Sequence, residues 1–369
     1  MHQTAIDSQF AFSKPEVVIG LMSGTSMDGL DICAVELSVL PKGEWSFNIL
    51  ASQSLSYSSY WFDKLHSAFA KTRPELEQLH LEYGTFLGEE VKRFCTENPE
   101  VRPTLIASHG HTIHHRPDEG YTFQMGDGNA LSKASGYPVM CDFRTLDVEL
   151  GGQGAPLVPI VDRLLFRSYS QCLNLGGFAN VSFEHASGRL AYDITLVNVL
   201  LNRLANQLGK EYDPEGSIAK GGVVQPTLLA PLEALSYYDQ APPKSLGREW
   251  LEQTVWPLFE GTTFSSEDLL ATGTAHIANA LARDLSRGPE GEILVTGGGG
   301  LNAFLIDSLR QNLPPTHTLV LPKGELIDQK EAIAFALLGA LRMRGEVNTL
   351  ASVTGARHDS CGGRLFDVR

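Results

Sequence analysis

The stretch Gly20-Leu21-Met22-Ser23-Gly24-Thr25-Ser26-Met27-Asp28-Gly29-Leu30-Asp31 decides the fold. It sets a turn of small residues, three hydroxyls and two carboxylates between two apolar runs of strand length, Val17 to Leu21 and Ile32 to Leu37. The pattern predicts a β-hairpin whose Gly24 and Gly29 allow close backbone approach and positive φ. Exposed amides in such a turn suit phosphate oxygens. Asp28 and Asp31 would repel a polyanion on their own, so they fit better as ligands of a hard cation that neutralises it. An ordinary Asp-Gly hairpin with no ligand is the competing reading.

Two further glycine-rich turns each follow a short apolar run. Gln171 to Leu175 and Val181 to Phe183 flank Gly176-Gly177-Phe178-Ala179-Asn180, a weaker echo of the first hairpin. Ile293 to Thr296 precedes Gly297 to Gly300, after which Leu301, Phe304, Leu305 and Leu309 recur at helical spacing. Strand, glycine turn and helix in that order commonly bring a nucleotide close to the backbone. Leu76, Leu79, Tyr83, Phe86, Leu87 and Phe94 predict an amphipathic helix after Pro74, and Val197 to Leu208 predicts another that Gly209 ends. Glu331 to Leu341 is apolar nearly all round and predicts a buried helix. Strands alternating with helices imply an α/β protein with covered sheets.

A chain of 369 residues that is 43% hydrophobic has room for two lobes of ordinary domain size. Its net charge of −14 argues against non-specific binding to nucleic acid, which needs a basic surface, and leaves small anions open. Cys33, Cys95, Cys141, Cys172 and Cys361 lack paired spacing and resemble buried thiols of a reducing compartment. The segment before Val17 lacks the apolar core of a signal peptide, and no run is long and apolar enough to span a bilayer. A soluble cytoplasmic protein is expected.

Ser108 to Pro117 gathers four of the eleven histidines after the strand predicted for Thr104 to Ala107. Alternation along an extended segment would put His109 and His111 on one side. No Glu or Cys stands at metal-ligand spacing nearby, so hydrogen bonds to a polar substrate, or a plain structural turn, explain the segment better than zinc. Pro138 to Arg144 reads as a strand carrying Asp142 and Arg144 on one face, able to grip a hydroxylated anion or to form a surface ion pair. Gly151 to Pro159 reads as a constrained loop, either a hinge or a site wall.

Taken together, GLMSGTSMDGLD at 20–31, SHGHTIHHRP at 108–117, DFRTLDVELGGQGAPLVP at 142–159, LNLGGFANV at 173–181, PPKSLGRE at 242–249, GGGGLNAF at 297–304, EAIAFALL at 331–338 and SVTGA at 352–356 resemble the anhydro-N-acetylmuramic acid kinases. The motifs occur in the expected order over nearly the whole chain. The resemblance implies the two-lobed α/β fold of sugar kinases, Hsp70 and actin, related to ribonuclease H, with ATP in a cleft between the lobes. It implies a first lobe of residues 1–145 with the tail 346–369, and a second of 146–345. Nucleotide contacts are expected from Gly24, Thr25, Ser26, Met27, Asp28, Gly29, Leu30 and Asp31, from Gly176, Gly177 and Asn180, and from Gly297, Gly298, Gly299 and Asn302. Asp28 and Glu331 would approach Mg2+, and His109, Thr112, Asp142, Arg144 and Glu331 would hold the sugar, with Arg144 opposite its lactyl carboxylate.

The family's reaction opens 1,6-anhydro-N-acetylmuramic acid with water and moves the γ-phosphate of ATP to O6, a step in recycling cell-wall peptidoglycan. Its catalytic aspartate begins an Asp-Thr-Gly-Pro-x-Asn segment, which aligns here with Asp193-Ile194-Thr195-Leu196-Val197-Asn198. Asp193 and Asn198 are kept, and the Thr-Gly-Pro between them is replaced. The resemblance also implies a homodimer. Two alternatives stay open at this level: a related kinase of a levoglucosan-like anhydrosugar, and a degenerate member that binds nucleotide or sugar without turnover.

Overall fold

The computed structural model describes residues 14–24, 27, 29–322 and 324–367. It separates into two compact units, one running to Leu165 and resuming at Gln329, the other spanning Phe166–Asp328. Residues 146–165 and 329–345, expected in the second lobe, cluster with the first unit. The reason for the second shift is a backbone-close contact: a Cβ on Gly20 would lie 1.8 Å from the Ala332 carbonyl, and one on Gly339 would lie 2.6 Å from Ala107 Cβ. The Leu326–Arg344 helix is therefore seated on the first sheet through its glycine and alanine positions.

That sheet contains β1 (Glu16–Ser23), β2 (Leu30–Val39), β3 (Trp45–Leu55), β4 (Leu105–Arg116), β5 (Tyr121–Met125), β6 (Val139–Cys141) and β12 (Arg364–Phe366). Its order is β12-β6-β4-β1-β2-β3, with β5 paired to β4. The first hairpin forms as the sequence predicts, with Ser23 opposite Leu30 as the closing pair. Thr72 and Glu75 form a capping box that starts the Arg73–Glu97 helix, whose Leu79, Tyr83, Leu87, Val91 and Phe94 are buried against Ile19, Leu21 and Ile106. Each such side chain contributes roughly 1.5–3 kcal/mol by leaving water.

The second unit holds β7 (Gln171–Leu175), β8 (Phe178–His185), β9 (Gly188–Leu196), β10 (Gly291–Thr296) and β11 (His317–Val320), in the order β11-β10-β7-β8-β9. In both sheets an antiparallel meander of three strands is followed by strands added in parallel to its first: β4 then β6 beside β1, and β10 then β11 beside β7. The same topology occurs twice, which accounts for the echo between the first two glycine turns. The Ser266–Leu285 helix packs Leu269, Leu270, Ile277 and Leu281 into the core of this unit with Leu173, Val181 and Val295.

Cys33, Cys141 and Cys172 are buried and Cys95 and Cys361 partly so, with no disulfide among them. No helix among the described residues is long and apolar enough to cross a membrane.

Candidate active site

In the second unit the two glycine turns and the aspartate segment meet. Val197 N–H donates to the Gly177 carbonyl at 2.9 Å and Asn198 N–H to that of Gly176 at 3.3 Å, so the start of the Asn198–Asn206 helix docks on the β7–β8 turn. Gly297 takes φ 83°, and a Cβ there would meet the Leu175 carbonyl at 2.8 Å, a conformation and a space that favour glycine. Gly299 is buried against Leu175 as well. Asn302 caps the Ala303–Asn312 helix by accepting from Leu305 N–H at 3.0 Å. Gly176, Gly177, Gly297, Gly298 and Gly299 thus form one backbone surface, with Gly298 beside the Asn198 amide.

Asp193 lies on β9, opposite Asn180 of β8. The register slips by one residue between the Ala179–Thr195 and Asn180–Asp193 pairs, leaving Ile194 as a bulge. Such bulges re-aim neighbouring side chains. Ile194, Leu196 and Val197 are buried in the core, and Thr195 bonds Tyr238 through their hydroxyls at 2.8 Å. The segment that replaces Thr-Gly-Pro is therefore a strand end built into the core. β9 is the edge strand, and its outer side is closed by other elements around Asp193. Asp193 N–H donates to the Lys244 carbonyl at 3.0 Å, Tyr237 Oη donates to the Asp193 carbonyl at 2.6 Å, and Leu246 N–H donates to Asp193 Oδ2 at 2.9 Å. Loss of hydration raises the Asp193 pKa, with the Leu246 bond opposing the rise.

In the first unit, Gly24 accepts from Met27 N–H at 3.1 Å, and Met27 has φ 61°. A Cβ on Gly29 would stand 2.1 Å from the Leu55 carbonyl, so this glycine is needed for close approach to β3. Leu30 is buried beneath the turn, and Asp31 Oδ1 accepts from Ser54 Oγ at 2.5 Å. The expected contacts at Thr25, Ser26 and Asp28 lie outside the described residues.

Two expectations are corrected here. Gly110, at φ 72°, breaks the alternation of β4, so His109 and His111 take different partners. His109 Nε2 accepts from Arg144 Nε at 3.1 Å, whereas His111 Nδ1 bonds Ser23 Oγ at 2.8 Å. Burial holds both histidines below their usual pKa, His111 at about 4. Among the described residues no cluster of three or more ligands could hold a metal. Secondly, the strand expected to reach Arg144 stops at Cys141. Asp142 turns to φ 60° and accepts from Thr145 Oγ1 at 2.5 Å, while Arg144 leads into the short Thr145–Glu149 helix. The two side chains do not share a strand face.

Arg144 is held from behind by His109 and by the Gly154 carbonyl, which accepts from its NH1 at 2.6 Å. Loss of hydration lowers its pKa to about 10, opposed by Glu331 and Asp147, so it stays charged at neutral pH. Three of its five N–H groups are used in these bonds, so each terminal nitrogen keeps one N–H for an anionic partner. Asp142 lines a cavity of about 260 Å³ with His109, Thr122, Thr145 and Arg364. Thr112 Oγ1 accepts from Gln124 Nε2 at 3.5 Å.

Glu331 was expected at a helix start and instead stands one turn inside the Leu326–Arg344 helix. The residues around it are buried while its own side chain keeps solvent access. Partial loss of hydration, then Asp31, raises its pKa, and Lys330 and Arg144 oppose the rise. Lys330 itself pairs with buried Asp162 at 2.8 Å. A solvent-accessible carboxylate whose pKa is raised in part by a second carboxylate fits a hard cation.

Lys244, Tyr237, Leu246 and Asp284 escaped sequence reasoning as neighbours of Asp193. PPKSLGRE stood out as a motif, and no periodicity links it to β9.

The family model for anhydro-N-acetylmuramic acid kinase matches residues 16–367. The kinase of that name from Variovorax paradoxus (strain S110) is 34% identical over 95% of this chain and 98% of its own. The one from Shewanella frigidimarina (strain NCIMB 400) is 33% identical over 97% of this chain and 100% of its own. Among solved structures, component A of (R)-2-hydroxyglutaryl-CoA dehydratase from Acidaminococcus fermentans aligns over 89% of this chain and 99% of its own at 12% identity and a TM-score of 0.46, too low for an inference.

Proposed function

The chain belongs to the anhydro-N-acetylmuramic acid kinase family, and from that premise we propose that it opens 1,6-anhydro-N-acetylmuramic acid with water while phosphorylating O6 from ATP. The product is N-acetylmuramic acid 6-phosphate, and the setting is peptidoglycan recycling in the cytoplasm, by a homodimer. The match over residues 16–367 carries the reading, supported by an aspartate held by three hydrogen bonds at the position where the family's base is expected.

Water is a poor nucleophile and an acetal a poor electrophile at neutral pH, so a positioned base is required. Asp193 takes the proton from water as the water oxygen bonds to the anomeric carbon. The bond from that carbon to O6 breaks, its electron pair stays on O6, and O6 attacks the γ-phosphorus while the bond to the bridging oxygen breaks and ADP leaves. The raised pKa of Asp193 makes it a stronger base than an ordinary carboxylate. In the first unit the Gly24–Asp31 turn takes phosphate, and the spare N–H pair of Arg144 takes the lactyl carboxylate. In the second, the Gly176–Asn180 turn takes phosphate and the Gly297–Asn302 loop the adenosine. Mg2+, when bound, spreads the phosphate charge and orients the transferred group. Glu331, with Asp31 beside it and Asp28 from the same turn, would hold that ion through oxygen and water.

A coupled ADP-release assay with the anhydro amino sugar, with levoglucosan and with no sugar tests the reading. ADP release is expected with the amino sugar, alongside a 6-phosphate product. Equal release with levoglucosan moves the substrate class, and no sugar-dependent release removes the activity.

A further inference from the structure

The residues that hold Asp193 have an anchor for which the proposed reaction has no use. Pro242–Gly247 forms neither helix nor strand, yet it supplies two of the three hydrogen bonds around Asp193, through the Lys244 carbonyl and the Leu246 N–H. A coil strap can aim a carboxylate only if it is itself tied down. The Lys244 side chain is 2% exposed. Its Nζ stands 3.8 Å from Asp284 Oδ1, beyond hydrogen-bond length, and over the rings of Tyr237 at 4.8 Å and Tyr192 at 5.7 Å. Asp284 is 3% exposed and belongs to the last turn of the Ser266–Leu285 helix, itself built into the core. Tyr237 closes the arrangement, since its ring faces the ammonium and its hydroxyl donates to the Asp193 carbonyl.

A buried ion pair with loose geometry is a weak source of stability, and replacing such pairs by apolar groups is often neutral or better. Its presence here is better explained by position than by stability. We propose that Lys244 and Asp284 are a positioning pair for Asp193: their buried contact fixes the strap, and the strap's carbonyl and N–H fix the carboxylate that deprotonates water. The inference rests on the reading of Asp193 as that base. Lys244 acts through the backbone, because the influences on the Asp193 carboxyl are hydration and the Leu246 bond. The charged and titratable groups that face this region are Tyr192 and Asp193 on β9, Tyr237 and Tyr238 on their 3-10 turn, Lys244 on the strap, and Arg283, Asp284 and Arg287 at the end of the long helix.

The test compares the parent with Lys244→Met, Asp284→Asn and the double variant Lys244→Met/Asp284→Leu. A loosened strap weakens the Leu246 bond to the carboxylate, so the Asp193 pKa rises and the acid limb of the kcat profile moves to higher pH. A kcat loss of about ten- to a hundredfold is expected from the misplaced base, with little change in KM for ATP or sugar. The double variant leaves no unpaired buried charge and is expected to fold as well as the parent while keeping the displaced limb. Carbon-13 NMR titration of aspartate-labelled protein, with the Asp193 signal assigned by its loss in Asp193→Asn, reads the same shift without turnover. A parent that binds ligands but does not turn over removes the proposed reaction, and the NMR shift still decides the strap. An Asp193 midpoint equal to the parent's in folded variants overturns the positioning role. So does a double variant that unfolds, since the pair would then serve the fold and not the carboxylate.

Discussion

Asp193 and Glu331 are both carboxyls whose pKa is raised first by lost hydration, and their surroundings are otherwise opposite. Asp193 is wrapped by backbone donors and acceptors from a strap and a tyrosine, with its lysine neighbour turned to another acid. Glu331 keeps solvent access, has a second carboxylate beside it, and is steadied by cationic Lys330 and Arg144. Shifts in the same direction thus come from different designs. Backbone bonds around a carboxylate fix its direction and suit proton transfer, while a like charge at an open edge leaves a demand for a cation.

The contrast breaks most visibly at Asp193. Asp193→Asn keeps the size and can still accept from Leu246, so ATP and sugar should bind as before while the single-turnover rate falls by about a hundred- to ten-thousandfold. Rapid-quench measurement on folded, ligand-saturated protein checks this. A ratio near one between parent and variant takes Asp193 out of the mechanism.

Glu331→Gln should act on the metal and not on the base. Losing one charged oxygen contact is expected to raise the Mg2+ concentration for half-maximal rate by about tenfold, the scale of a hydrogen bond to a charged group. The pH limb assigned to Asp193 should stay in place. An unmoved Mg2+ titration would leave Glu331 with a structural role.

The last expected effect concerns stability and not rate, and the two units share it. His111 in the first and His276 in the second are held neutral by burial, at about 4 and about 3 against an ordinary 6.5. Below pH 6.5 the unfolded chain binds protons that the folded one refuses, so the stability they give is complete above 6.5 and is lost as pH falls toward those values. Each contributes a slope of at most about 1.4 kcal/mol per pH unit. Urea midpoints between pH 7 and 4.5 should fall less steeply in His276→Gln than in the parent, and equal slopes would remove the assignment.

Both hairpins, the long helix after Pro74 and the turn before the Ala303–Asn312 helix were legible in the sequence because apolar periodicity and glycine placement are local signals. The errors have local causes as well. A positive φ at Gly110 lies between His109 and His111, which bond Arg144 and Ser23 respectively, and another at Asp142 ends the strand short of Arg144. The strap at Asp193 was invisible for a different reason. Lys244, Tyr237 and Asp284 reach it from segments 44 to 91 residues away, and its principal bonds are made by main-chain atoms that carry no sequence signature.

Gly20 has neither positive φ nor a turn to serve, and yet a methyl group there would sit 1.8 Å from the Ala332 carbonyl. Strand and helix touch main chain to main chain at that point, three residues from Ser23 at the mouth of the first turn and one residue from Glu331. No side chain stands between them to flex, so the joint transmits displacement the way a weld does and a hinge does not. A displacement of this end of β1 would carry the start of the buried helix, and with it the Glu331 carboxylate, and an alanine at residue 20 would force strand and helix apart.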